Sequence, residues 1–250
     1  MIKFFRKIRY NLMEKNKTGK YLKYAIGEIV LVMVGILLAL QVNNWNENRK
    51  DNLKEVANLQ SLKSELEISL EELKSDYNST KIFHNSALKV QNHIRKKARI
   101  SDSMYRDFFL SYQISNFFPK TSTYETFKNG NLELIKSDSL KILITDIYEG
   151  GYKRILSRYN TARISARINY YQENFRITSN AKPDVSLNQL RKSFKAIPNN
   201  YEYLMNDPNY ESLISEAIYN RRLLLRDFGG TVERVKKGIS EIEYYLKKIN

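Results

Sequence analysis

Apolar residues are distributed along this chain in two distinct ways. From Tyr21 to Val42 the sequence YLKYAIGEIVLVMVGILLALQV is almost continuously apolar, and no polar residue interrupts it between Ile29 and Leu40. The 19 residues from Tyr24 to Val42 make about 28 Å of α-helix at about 1.5 Å per residue, close to the thickness of bilayer hydrocarbon. A buried core helix of a soluble protein seldom runs so far without a polar residue, so the segment is predicted to span a membrane. A cleavable signal peptide is disfavoured because Leu38, Leu40 and Gln41 interrupt any small-x-small cleavage pattern.

Beyond the span the pattern becomes periodic. Val56, Leu59, Leu62, Leu66, Leu70, Leu73 and Tyr77 recur at intervals of three and four, which predicts one long amphipathic helix reaching about Arg99. Ser122 to Glu125 forms a capping-box pattern that opens a short helix closed by Gly130, and Ser137 or Asp138 caps a second long helix running to about Phe175. Thr178 to Ser186, containing Pro183, reads as a loop. Short helical pieces follow at Leu187 to Ala196 and Tyr201 to Met205, and Asp207-Pro208 starts a third long helix that continues to about Ile249. No stretch alternates as a strand. The predicted fold class is all-α: one transmembrane helix followed by an elongated extracytoplasmic bundle of three long helices with short ones packed at an end. The predicted segments are 1–20, basic and cytoplasmic; 21–43, a transmembrane signal anchor; 44–52, a juxtamembrane hinge; and 53–250, the helical domain. The hinge is expected from the asparagine-rich string NNWNENRKDN at residues 43–52, a poor helix former.

Charge gives the span a direction. Eight Lys/Arg precede it and three follow within a comparable distance, which places the N-terminus in the cytoplasm and the large C-terminal part in the periplasm or outside the cell. Trp45 stands where an outer interfacial aromatic is expected, with Tyr21 and Tyr24 at the inner face. In IKFFRKIRYNLM, residues 2–13, the apolar side chains share one arc of a helical wheel. Lys3, Arg6, Lys7 and Arg9 supply a basic membrane-surface face; a disordered basic tail is the other reading of the same residues. The formal charge of the whole chain is +15, yet no nucleic-acid stripe is predicted. Ten Lys/Arg against two acids lie in residues 151–200. On one continuous helix Arg154 and Arg158 would face one way and Arg163 and Arg167 nearly the opposite way. Those four arginines are candidates for an anionic partner; alternatively some of them pair with the acidic run Glu65, Glu67, Glu71, Glu72 and Asp76.

Within the span, Gly35 and Ala39 each fall within about 20° of Glu28 at about 100° per residue. Small residues beside a carboxylate suit close contact with a second membrane helix. The competing reading has Glu28 reaching the inner headgroups near Lys20 and Lys23. The expected partners are therefore the lipid bilayer and either another copy of the chain or another membrane protein. Two glycine pairs, Gly150-Gly151 and Gly229-Gly230, fall mid-helix, each costing roughly 2 kcal/mol relative to alanine. They mark kinks, close packing or a ligand approach.

No catalytic constellation emerges. With no cysteine in the chain, disulfides and thiolate metal sites are excluded. His84 and His93 are nine residues apart and fall on opposite faces of a helix, so no shared metal site is expected. Thr18-Gly19-Lys20 lacks the earlier glycine and the following Ser/Thr of a phosphate-binding loop, and Glu71 and Glu72 do not face each other as an acid/base pair. No cofactor is expected.

The string from Met1 to Lys50, with Thr18-Gly19-Lys20 followed by YAIGEIVLVMVGILLALQVNNWNE, and the later NGNLELIKSDSL at 129–140, resemble a family of uncharacterised single-pass membrane proteins of Gram-negative bacteria. The resemblance implies a membrane anchor and a bacterial envelope location and brings no catalytic residue; the expected location is the inner membrane. The expected role is a non-enzymatic envelope protein whose helical module binds a protein partner. The alternative is a sensor or accessory subunit that binds a small or anionic ligand.

Overall fold

The computed structural model describes residues 10, 18–129, 132–159, 161–182 and 184–249, with the backbone alone at 18, 20, 21, 161–163, 187, 188 and 191. The fold is all-α with one small β element. In chain order the elements are α1 (Thr18–Arg95), α2 (Asp102–Tyr112), α3 (Ser122–Lys128), a 3-10 turn (Leu132–Leu134) and α4 (Asp138–Thr145). A π-helical segment (Asp146–Tyr152) then leads into α5 (Lys153–Leu156) and α6 (Thr161–Asn174). Strand β1 (Phe175–Ser179), α7 (Leu187–Ser193), strand β2 (Phe194–Pro198), α8 (Tyr201–Leu204) and α9 (Pro208–Ile249) complete the chain. It divides into two units, residues 1–56 and 57–250.

Several sequence expectations are corrected here. The asparagine-rich string at 43–52 does not interrupt the helix; it lies inside the 78-residue α1. Weak intrinsic propensity is overcome by local pairs: Asn43 donates to Glu47 at 3.2 Å, and Lys54 pairs with Asp51 at 3.4 Å. The expected second long helix is divided. Gly150 and Gly151 fall in the seven-residue π segment, and the chain leaves the α-helix after Leu156. There Arg158 N–H bonds to the Ile155 carbonyl at 3.0 Å and Tyr159 N–H to that of Leu156 at 3.2 Å, i to i−3 bonds that tighten and end a helix. A two-stranded antiparallel sheet, with Phe175 paired to Pro198 and Ser179 to Phe194, takes up residues read from sequence as helix end, loop and helix.

The capping box expected at Ser122 does not form. The N-cap of α3 is Thr121, without a side-chain bond, and the helix start is capped from another element. Glu65 on α1, 6% exposed, accepts from Thr123 N–H at 2.7 Å, Tyr124 N–H at 3.4 Å, Ser122 Oγ at 3.1 Å and Tyr148 Oη at 2.8 Å. A carboxylate at a helix N-terminus satisfies donors left unpaired by the helix and complements its dipole. Burial raises the Tyr148 phenol well above its ordinary value, so it stays protonated and donates. Of the two candidates Ser137 and Asp138, Ser137 caps α4, accepting from Leu140 N–H at 3.4 Å; at the start of α9, Asp207 accepts from Asn209 N–H at 2.9 Å.

The C-terminal unit holds two apolar cores. One gathers Leu59, Leu62, Leu66 and Leu73 of α1 with Ile144, Ile147 and Tyr152 of α4 and the π segment, and Leu224, Phe228, Val235 and Ile242 of α9. The other joins Val90 and Ile94 of α1 to Phe108 of α2, Tyr170 and Tyr171 of α6, Phe175 of β1, and Tyr210 and Ile214 of α9. Each large aliphatic side chain so buried contributes about 1.5–3 kcal/mol before the entropy of ordering it. On α1 the interval between Leu73 and Val90, and on α9 that between Ile214 and Leu224, separate the two cores in sequence, and both intervals bury polar side chains.

Candidate functional site

The first candidate is the apolar segment. Every residue from 29 to 50 is exposed, Glu28 is half-buried, and Gly35 and Ala39 are exposed. A Cβ added at Gly35 would meet nothing within 4 Å. Among the described residues nothing packs against Gly35. Among the described residues one helix, Leu22–Arg95, contains an 18-residue window long and apolar enough to cross a membrane, with a mean hydropathy of 2.4 and 0% of it buried. Lys3, Arg6, Lys7 and Arg9 lie outside the described residues.

The second candidate is the polar layer between the two cores. Arg221, 5% exposed, occupies a core position of the apolar stripe Ile214, Ala217, Arg221, Leu224, Phe228 on α9. Its guanidinium donates to the backbone carbonyls of Phe83 at 3.2 Å, Ser111 at 2.6 Å and Gln113 at 2.8 Å. Those acceptors are uncharged, so they satisfy its N–H groups without neutralising it. Burial, with the nearby Arg167 charge, pushes the Arg221 pKa down to about 9. Arg167 of α6 is lowered by burial in the same way, and its Nε, like Thr80 Oγ1 on α1, is buried without a hydrogen-bond partner among the described residues. Arg158 completes the group through an ion pair with the 3%-exposed Asp227 at 2.8 Å. Arg158, Arg167, Arg221 and Thr80 line one cavity of about 50 Å³, together with Glu216 and apolar side chains that include Phe83, Ile114 and Leu224.

The four candidate arginines therefore divide. Arg154 is exposed on α5, whereas Arg158 and Arg167, expected on opposite sides, share the cavity because the chain turns between α5 and α6. The Arg163 side chain lies outside the described residues. The expected pairing with the acidic run does not occur among the described residues. Lys63 pairs with Glu67 at 3.4 Å, Lys74 with Glu71 at 2.6 Å and Lys120 with Glu72 at 3.4 Å. Asp76 accepts from Ser115 at 2.5 Å, and burial raises its pKa.

Gly150 lines an open pocket with Ile142, Thr145 and Glu149. Gly151 meets α9 directly: a Cβ there would lie 3.0 Å from Thr231. His84 and His93 remain apart; His93 Nε2 is 2.5 Å from Tyr201 Oη. Among the described residues no group of three or more His, Asp or Glu side chains is placed to hold a metal ion. Arg221, Thr80 and Glu216 are among the cavity residues that the sequence did not single out. The available signal was a charged residue standing in the apolar stripe of α9.

These features define a helical protein with one exposed apolar helix segment and a helical unit whose two cores are separated by a polar layer. The model of a family of unknown function, DUF6090, matches residues 28–183, more than half of the chain, and the protein belongs to that family. No curated protein and no solved structure matches it.

Proposed function

We propose that this protein is a non-enzymatic, membrane-anchored interaction module of the bacterial envelope, with its N-terminus in the cytoplasm and its helical unit in the periplasm. The observation that carries this reading is the apolar stretch of α1, which is exposed at every residue from Ile29 to Val42. In water such a surface is unfavourable; in hydrocarbon it is not. The eight-to-three excess of Lys/Arg ahead of the span supports the direction. The partner in this reading is a second copy or another membrane protein that meets the exposed apolar segment. The test is a topology reporter fused after Asn250. Activity of a reporter that works only outside the cytoplasm is expected, and activity of a cytoplasm-only reporter refutes the orientation.

A second reading, a sensor or accessory subunit that binds a small or anionic ligand, is favoured by one observation, the arginine-lined cavity.

A further inference from the structure

We propose that the cavity bounded by Arg158, Arg167, Arg221 and Thr80 is a binding site for a small oxyanion, a carboxylate or phosphate group. The inference rests on the second reading above and names its ligand chemistry. Three guanidinium groups and one carboxylate, Glu216, line the space. Asp227 offsets Arg158 at 2.8 Å, while the hydrogen bonds of Arg221 go to three backbone carbonyls. Arg167 and Arg221 repel each other in a desolvated setting, and Glu216 opposes the cost of burying Arg167 without cancelling it, so a further negative group held there would add stability. A planar guanidinium is the side chain best matched to carboxylate and phosphate oxygens.

Two donors are poised for such a group: Arg167 Nε and the 2%-exposed Thr80 hydroxyl, both without a partner among the described residues. Size sets the class. About 10–15 Å³ suffices for one water, and pockets for drug-sized ligands run to about 300–1,000 Å³; about 50 Å³ suits a single oxyanion or the head of a small organic acid. Phe83, Ile114 and Leu224 on the wall accommodate a short apolar substituent.

The test uses the full chain in a non-ionic detergent, titrated calorimetrically with acetate and, separately, with phosphate, against sodium chloride at matched ionic strength. Thermal unfolding is followed in parallel. The expected result is saturable binding of at least one of the two, with Tm rising by several degrees at saturation because the ligand binds the folded state; the stronger arm identifies the chemistry as carboxylate or phosphate. Arg167→Leu should weaken binding at least tenfold while its Tm without anion equals or exceeds that of the wild type, since a repulsive buried charge has been removed. No saturable binding of either anion to the wild type overturns the site and the ligand-binding reading with it, as does an equal response in wild type and Arg167→Leu. Binding that leaves self-association of the full chain unchanged upholds the site and removes the sensor reading alone.

Discussion

Glu65 shows how much structure one side chain organises in this protein. It stands on α1, yet its partners are the first turn of α3 and the phenol of Tyr148, which stacks on Tyr124 at a centroid distance of 4.2 Å. Truncation to alanine leaves two helix N–H groups and a buried phenol unsatisfied, and hydrogen bonds to a charged group are worth about 1.5–3 kcal/mol. Glu65→Ala should therefore lower stability by about 2–3 kcal/mol, measured by denaturant unfolding followed by circular dichroism; a loss within experimental error would show that the α3 cap is dispensable. The acidic run reads from sequence as a set of partners for the arginines. The capping role of Glu65 was not legible, because a carboxylate capping a helix 57 residues away leaves no local pattern. Arg221 was more visible, since a charge in the stripe of Ala217 and Leu224 breaks the apolar period.

Among elements, the long amphipathic helices were readable wherever periodicity ran unbroken. Asp207-Pro208 starts α9 at Pro208 because proline lacks the N–H a first helical turn leaves unpaired. What escaped were short elements stabilised by distant partners. Strands β1 and β2 are five residues each; β1 follows α6 without a loop, and β2 packs against α2. The glycines of α9 separate by environment rather than by pairing. A Cβ at Gly229 would lie 3.9 Å from Tyr77, an ordinary contact, whereas at Gly238 it would lie 2.8 Å from Ile147 Cδ1, inside a core where Ile147 is 0% exposed. Gly229→Ala should raise stability by about 0.5–1 kcal/mol through helix propensity. Gly238→Ala should lower it by about 1 kcal/mol, the lower end of overpacking costs. Thermal unfolding of both variants checks the reversal of sign, and a gain in both would show that Ile147 yields freely.

For the whole molecule, the all-α character and the long apolar N-terminal helix were legible because the hydropathy of residues 24–42 differs so strongly from the periodic remainder. The cavity was not, because it depends on a turn that sequence reading ran through as one helix, so that Arg158 and Arg167 appeared to diverge. If the exposed Gly35 and Ala39 face is where a second membrane helix approaches, a bulky residue there must hold it off. Gly35→Ile should reduce association of the full chain several-fold in a membrane two-hybrid assay. Glu28→Gln should reduce it less, since an amide still hydrogen-bonds. Equal association of wild type and Gly35→Ile would leave Glu28 as a residue that reaches the headgroups.

The chain holds one tryptophan and 18 tyrosines, and their placement divides its optical signals. Trp45 is 65% exposed at the end of the apolar segment, while Tyr148, Tyr152, Tyr170, Tyr171 and Tyr210 are buried in the helical unit. Light absorbed only by indole therefore reports the surroundings of the apolar segment. Near-ultraviolet dichroism of the packed phenols reports the helical unit. One unlabelled sample yields both.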